Sequence, residues 1–171
     1  LVHPSQAARK SQRTAKLVQQ QSELEEQMKR QVITLIEDNE GDIFLLRESM
    51  EEIRQDLELV AYNSLDHLVE YHAQIQDLVL NSIGITLLDL NIPGSSGWEI
   101  LSWIKQDSVL RMQPVIVLTS SRSPNDIARA YQAGANAYIP KPDDFEGYRR
   151  MTQSLVEFWF RVSTIPQRSR S

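Results

Sequence analysis

The chain has 171 residues, 41% hydrophobic and 24% charged, a size that fits one globular domain with an appendage. A net charge of −5 argues against a general nucleic-acid surface, and the lack of cysteine excludes disulfides, thiolate chemistry and zinc–thiolate sites. No apolar run approaches the roughly 18 residues of a membrane span and no secretory signal is visible, so a soluble, cytoplasmic protein with no membrane contact is expected.

Residues 1–30 read as an N-terminal helical extension. From 5 to 30 the chain is free of Gly and Pro and rich in Gln, Glu, Lys, Arg and Ala, which favours helix on propensity. Leu17, Leu24 and Met28 form a thin apolar stripe that Gln21 interrupts, too sparse for a coiled coil. A solvated helix and a dimerising or interdomain helix both fit. The chain begins at Leu1 and ends Arg168-Ser169-Arg170-Ser171, and residues 167–171 read as a cloning remnant.

Residues 31–166 alternate strands and helices. An apolar strand, Val32 to Ile36, precedes a helix over 42–54 with Ile43, Leu46, Met50 and Ile53 at helical spacing. Residues 57–61 read as a second strand, and 63–76 as a helix with Leu65, Leu68, Val69 and Ile75 inward. The strand from Ile83 to Leu88 is followed by a helix near 97–106. After the strand from Pro114 to Leu118, Ser123-Pro124-Asn125-Asp126 combines a hydroxyl cap, a first-turn Pro and an early acid. Gly134 marks the end of that helix. The strand at Ala137-Tyr138-Ile139 leads through Lys141-Pro142 to a last helix, roughly 144–163. Five such βα units imply an α/β fold with a parallel sheet covered on both faces. The Lys141-Pro142 bond is a candidate cis peptide, because X-Pro is where cis costs only about 0.5–1 kcal/mol.

The strand ends carry the chemistry. Asp89 follows the third strand, Glu37 and Asp38 the first, Thr119 and Ser120 the fourth, and Lys141 the fifth. The carboxyl edge of a parallel sheet is where ligands bind in such folds. Three carboxylates, a hydroxyl and an ammonium suit a divalent cation plus a phosphoryl group. Each residue has a plainer reading: Asp89 and Thr119 as caps, Lys141 as a surface lysine, Tyr138 as a half-buried strand tyrosine. His67 and His72 are five apart, off the spacing of a helical metal pair, and read as surface residues.

The four strand-end motifs, Glu37-Asp38, Asp89 in Leu-Leu-Asp-Leu-Asn-Ile-Pro-Gly, Thr119 in Val-Leu-Thr-Ser-Ser and Tyr138-Ile-Pro-Lys141-Pro, together resemble the response-regulator receiver domain of two-component signalling. Ile36-Glu-Asp-Asn-Glu-Gly-Asp-Ile43, the long stretch before the Asp89 strand and the ending Phe158-Trp159-Phe160 narrow the resemblance to single-domain regulators of bacterial and cyanobacterial phytochrome kinases. The resemblance implies a flavodoxin-like (βα)5 doubly wound sheet of strand order 2-1-3-4-5. It implies Asp89 as phosphoacceptor and Asp38 and Asp89 as direct ligands of Mg²⁺ or Mn²⁺. Asn91 would be a ligand through its backbone carbonyl and Glu37 one through water. Thr119 and Lys141 would stabilise the phosphoryl group, and Tyr138 would be the switch aromatic. A sensor histidine kinase is the implied partner, with no enzyme activity beyond magnesium-dependent self-phosphorylation and slow autodephosphorylation.

Phe158, Trp159 and Phe160 are consecutive and cannot all face one core if helical. A homodimer through the last helix is expected, the alternative being cover by Ile165-Pro166 of the same chain. Other readings remain. A phosphatase or phosphomutase would need a second acid where Asn91 stands, and a phosphate-independent interaction module would not need the intact acids. The chain also reads as one receiver domain of a larger hybrid protein. No reading helix for DNA follows the last strand.

Overall fold

The structure, a computed structural model, describes residues 14–19 and 30–166. Most of the expected N-terminal helix, with Leu24 and Met28, and the tail at 167–171 lie outside the described residues. Residues 14–19 are helical and fully on the surface, with Leu17 and Val18 exposed.

Five strands form the sheet: β1 (Arg30–Ile36), β2 (Leu57–Tyr62), β3 (Ser82–Leu88), β4 (Val115–Thr119) and β5 (Ala137–Pro140). All pairings are parallel and the order is β2-β1-β3-β4-β5. Between them run α1 (Glu40–Ile53), α2 (Leu65–Glu70), α3 (His72–Asn81), α4 (Gly97–Gln106), α5 (Pro124–Gln132) and α6 (Phe145–Glu157). A two-residue ladder pairs Asn91–Ile92 with Ser95–Ser96 around Gly94, whose φ of 74° favours glycine. No helix among the described residues is long and apolar enough to cross a membrane.

The strands read as near-continuous apolar runs because both faces are covered. Ile33, Leu35, Ile85, Leu87, Ile116 and Leu118 pack against α1 and α6 through Ile43, Leu46, Met50, Tyr148, Leu155 and Val156. Ile36, Leu88, Val115 and Val117 point the other way, onto Leu68, Ile75, Ile100, Leu101, Ile104 and Ala130 of α2 to α5. Each such aliphatic side chain withdrawn from water contributes about 1.5–3 kcal/mol.

Several local expectations are corrected. The helix expected over 63–76 is two: Ser64 caps α2 by accepting from the His67 N–H, and the chain leaves helical geometry at Tyr71 before α3 runs on to Asn81. Val69 faces solvent as a result. The α-helical winding of α6 stops at Glu157, and Phe158–Val162 widens into a π turn closed by Ser163 N–H donating to the Phe158 carbonyl at 2.7 Å. The Ser123 side chain makes no capping bond; Ser121 Oγ instead donates to the first-turn acid Asp126 at 2.6 Å. The Lys141–Pro142 bond is trans. His72 is no bystander, since its Nε2 pairs with Asp107 at 2.8 Å, and His67 lies edge-on between Tyr62 and Tyr71.

Candidate functional site

The sheet reverses direction of growth between β1 and β3, and the crevice at that switch point is where the strand-end acids emerge. Ile36 and Leu88 are register partners, so Glu37 and Asp89 leave the sheet side by side. Their backbones remain tied: Asp89 N–H donates to the Ile36 carbonyl at 3.0 Å and Glu37 N–H to the Tyr62 carbonyl at 2.9 Å. On the far side, Lys141 N–H donates to the Thr119 carbonyl at 2.8 Å, fixing where the lysine stem begins. The start of α4 presses from behind. A Cβ on Gly97 would stand 2.4 Å from the Leu90 Cα and 2.6 Å from the Asp89 carbonyl oxygen.

The Lys141 ammonium sits at the centre. It donates to Asp42 Oδ2 at 2.7 Å and Asp89 Oδ2 at 2.7 Å, and pairs with Glu37 Oε2 at 2.6 Å. Glu37 and Asp89 are buried, and Glu37 Oε1 also accepts from the Asn39 N–H at 3.0 Å. Two carboxylates about 4 Å apart repel by roughly 4 kcal/mol at an effective dielectric near 20, so three around one ammonium leave an excess of negative charge. Burial alone would lower the lysine, but the bonds to Asp42 and Asp89 and the pairing with Glu37 outweigh that and hold it well above its ordinary range. Burial pushes the Glu37 carboxyl up, against the downward pull of Lys141 and the Asn39 N–H.

These groups line an open, polar cavity of about 460 Å³ with Asp38, Asn39, Asn91, Pro93, Ser120, Arg122, Pro142 and Asp143. Asp38 is half-buried on its wall. Among the described residues no three acidic, histidine or cysteine side chains are grouped at metal-ligating spacing, and the ammonium stands where the strand-end acids converge. Asn91 N–H donates to Asp89 Oδ1 at 3.0 Å, and its side-chain amide donates to Thr119 Oγ1 at 3.1 Å and Ser120 Oγ at 3.3 Å. Thr119 is fully buried behind that amide. Tyr138 is half-buried, its ring against the α4 side of the core and its hydroxyl donating to the Ser121 carbonyl at 3.0 Å.

The structure brings Glu37, Asp89 and Lys141, expected to share one pocket, into direct contact, and sets Asp38 and Asn91 on the same cavity. The sequence reading missed Asp42 and Tyr148. Asp42 lies in the first turn of α1, which Asn39 caps by accepting from the Gly41 and Asp42 N–H groups. Its other oxygen accepts from the Tyr148 hydroxyl at 2.9 Å, and Tyr148 is fully buried. An acid in a first helical turn is too common to single out. The aromatic run is split. Phe158 is 51% exposed, while Trp159 and Phe160 pack partly on the α6 side of the core with Ile165.

A model of the response regulator receiver domain matches residues 33–153. The chain is 34% identical over 141 residues to a probable methanogenesis regulatory protein, FilR2, of Methanothrix harundinacea, covering 79% of this chain and 87% of that one. It is 32% identical over 142 residues to response regulator Rcp1 of Synechocystis, covering 79% and 92%. The crystal structure of Mn²⁺-bound Rcp1 superposes with a TM-score of 0.66 over 79% of this chain and 98% of that one. The phosphorylated cyanobacterial phytochrome response regulator RcpA, 29% identical, gives 0.65 over 80% and 98%. With the sheet order, the switch-point crevice and this match agreeing, the chain belongs to the response regulator receiver domain family.

Proposed function

We propose that Asp89 accepts a phosphoryl group from a sensor histidine kinase, and that the change is relayed through protein contacts. The observation that carries this reading is the Asp89 carboxylate itself, buried at the end of β3, opening on the acidic cavity and 2.7 Å from the Lys141 ammonium. An Asp89 oxygen attacks the phosphorus, the new O–P bond forms as the P–N bond of phosphohistidine breaks, and the imidazole nitrogen keeps the electron pair and takes a proton from solvent. With acetyl phosphate the leaving group is acetate. Lys141 balances charge on one phosphoryl oxygen and the Thr119 hydroxyl, once released by Asn91, donates to another. Tyr138 would follow Thr119 inward, giving up its bond to Ser121.

The donor set fits a hard divalent cation: carboxylates of Asp38 and Asp89, the Asn91 carbonyl, and Glu37 through water. Mg²⁺ or Mn²⁺ bound there would neutralise the acids and draw charge from the phosphoryl oxygens. Magnesium-dependent labelling from small donors and slow self-dephosphorylation follow, with Asn91 in place of a second catalytic acid. Rcp1 is described with Mn²⁺ and RcpA as a phytochrome response regulator, which supports a divalent cation at this site and a phytochrome-type kinase as partner. Phe158 borders an apolar groove of about 490 Å³ formed with Ala137, Ile139, Met151, Leu155 and Trp159, which supports a homodimer through this face.

The test is incubation with Mg²⁺ and acetyl phosphate, then intact-mass measurement. Wild type should gain about 80 Da, removable by hydroxylamine, and Asp89→Asn should gain nothing. Labelling of both, or of neither, would overturn the assignment.

A further inference from the structure

We propose that Asp42 and Tyr148 are positioning residues for phosphoryl transfer: Tyr148 fixes the Asp42 carboxylate, and Asp42 keeps hold of the Lys141 ammonium while the reaction claims its other two partners. The inference rests on Asp89 being the acceptor.

An ammonium has three N–H bonds; here it donates to Asp42 and Asp89 and forms an ion pair with Glu37. Esterification removes the free carboxylate of Asp89, and Glu37 stands on the side where a cation would be held. Asp42 belongs to neither set. It comes from α1 rather than from a strand end, and Asn39 already caps that helix, so capping does not account for it. Its two oxygens face opposite ways, Oδ2 to Lys141 at 2.7 Å and Oδ1 to the Tyr148 hydroxyl at 2.9 Å. Tyr148 is 1% exposed and wedged by the apolar packing of α6 on α1, so it cannot follow the lysine. A lysine on a flexible four-carbon stem gains direction from a fixed acceptor. With one N–H retained by Asp42, the other two remain aimed at the place where phosphoryl oxygens on Asp89 would lie. The extra negative charge of Asp42 is otherwise unfavourable beside a phosphoryl group.

Asp42→Asn, Tyr148→Phe and the double variant test this, with Tyr148→Phe keeping the buried ring. Labelling rates are measured against acetyl phosphate concentration at saturating Mg²⁺. The maximal rate should fall about tenfold in Asp42→Asn and several-fold in Tyr148→Phe, with the half-saturating donor concentration and the Mg²⁺ affinity unchanged. The double variant should be no slower than Asp42→Asn, because both act through one lysine. In metal-free protein the ¹⁵N side-chain ammonium signal of Lys141 should broaden or shift in both variants, a readout that a purely structural tyrosine would not move. Wild-type rates in either variant, an additive double variant or an unmoved ammonium signal would overturn the proposal. An unlabelled wild type would instead remove the Asp89 assignment, and this inference with it.

Discussion

The Asn91 side-chain amide donates to the Thr119 hydroxyl across 3.1 Å, linking the loop after β3 to the end of β4 in the resting site. The bond holds the buried hydroxyl that the proposed chemistry would use. It also separates two roles of Asn91, since the proposed cation ligand is its backbone carbonyl and the latch is its amide. Asn91→Ala should therefore lose about 1 kcal/mol in urea unfolding, the net worth of a typical hydrogen bond, and still take up phosphate. If labelling by acetyl phosphate disappears as completely as in Asp89→Asn, the side chain and not the backbone is what the site requires.

Lys141 is the cation of the resting cluster, so its removal should be felt most where no other cation is present. Lys141→Met leaves Glu37, Asp42 and Asp89 facing one another. Breaking a buried ion pair from one side costs about 3–5 kcal/mol, and a loss of that order is expected in chelator. Millimolar Mg²⁺ should return part of it, giving a larger metal-dependent rise in melting temperature than wild type shows. Equal stability of the two proteins in chelator, or a variant blind to Mg²⁺, would contradict the cluster electrostatics.

A second titrating site lies away from the crevice. Asp107 ends α4 and accepts from the Val109 and Leu110 N–H groups at 2.8 Å each, from His72 at 2.8 Å and from Gln76 at 3.0 Å. Burial would raise its carboxyl, but the two N–H groups and His72 together hold it below the ordinary value of 3.8. A depressed acid stabilises the fold at pH above its unfolded value, and the gain is lost as pH falls through the folded value. Asp107→Asn should be less stable than wild type at pH 7, by about 1 kcal/mol, with the gap closing below roughly pH 4. Thermal melts of both proteins between pH 7 and pH 3 measure it; a gap that widens on acidification has the wrong sign.

The aromatic run divides into two residues that pack on the core, Trp159 and Phe160, and one, Phe158, that stands exposed on the face proposed to meet a second copy. Phe158→Ala should weaken self-association by about 30-fold while leaving the melting temperature of the monomer unchanged, the behaviour of an interface anchor. Trp159→Ala should lower both, because Trp159 also packs on the core. Sedimentation of the two variants and wild type over a concentration series decides. Identical masses for all three would remove this face as the contact.

Much of this architecture was legible because it rests on apolar runs and on the residues at their ends. β1, β3 and β4 are buried on both faces, so their sequences are dominated by Val, Ile and Leu, and the polar group that closes each run lands on the sheet edge by necessity. Glu37, Asp89, Thr119 and Lys141 were found that way. The break at Tyr71 was not, because neither Gly nor Pro marks it and the apolar spacing passes through it with little interruption. The π turn was missed for a similar reason: three consecutive aromatics fit no helical face, and widening the last turn lets Trp159 and Phe160 reach the core. Asp42 and Tyr148 stand more than a hundred positions apart and meet only because α1 and α6 share one face of the sheet. Such a pair leaves no local signature in a single chain.

Gly97 carries a consequence for any attempt to rebuild this crevice. It has no side chain because the main chain of Asp89 and Leu90 fills the volume where one would begin. A single methyl group there could be accommodated only by pushing the proposed acceptor's backbone off the sheet or by swinging α4 outward. The position of the proposed acceptor is thus set by a hydrogen atom on the far side of the loop, and a small change that disturbs this site most would alter no charged group.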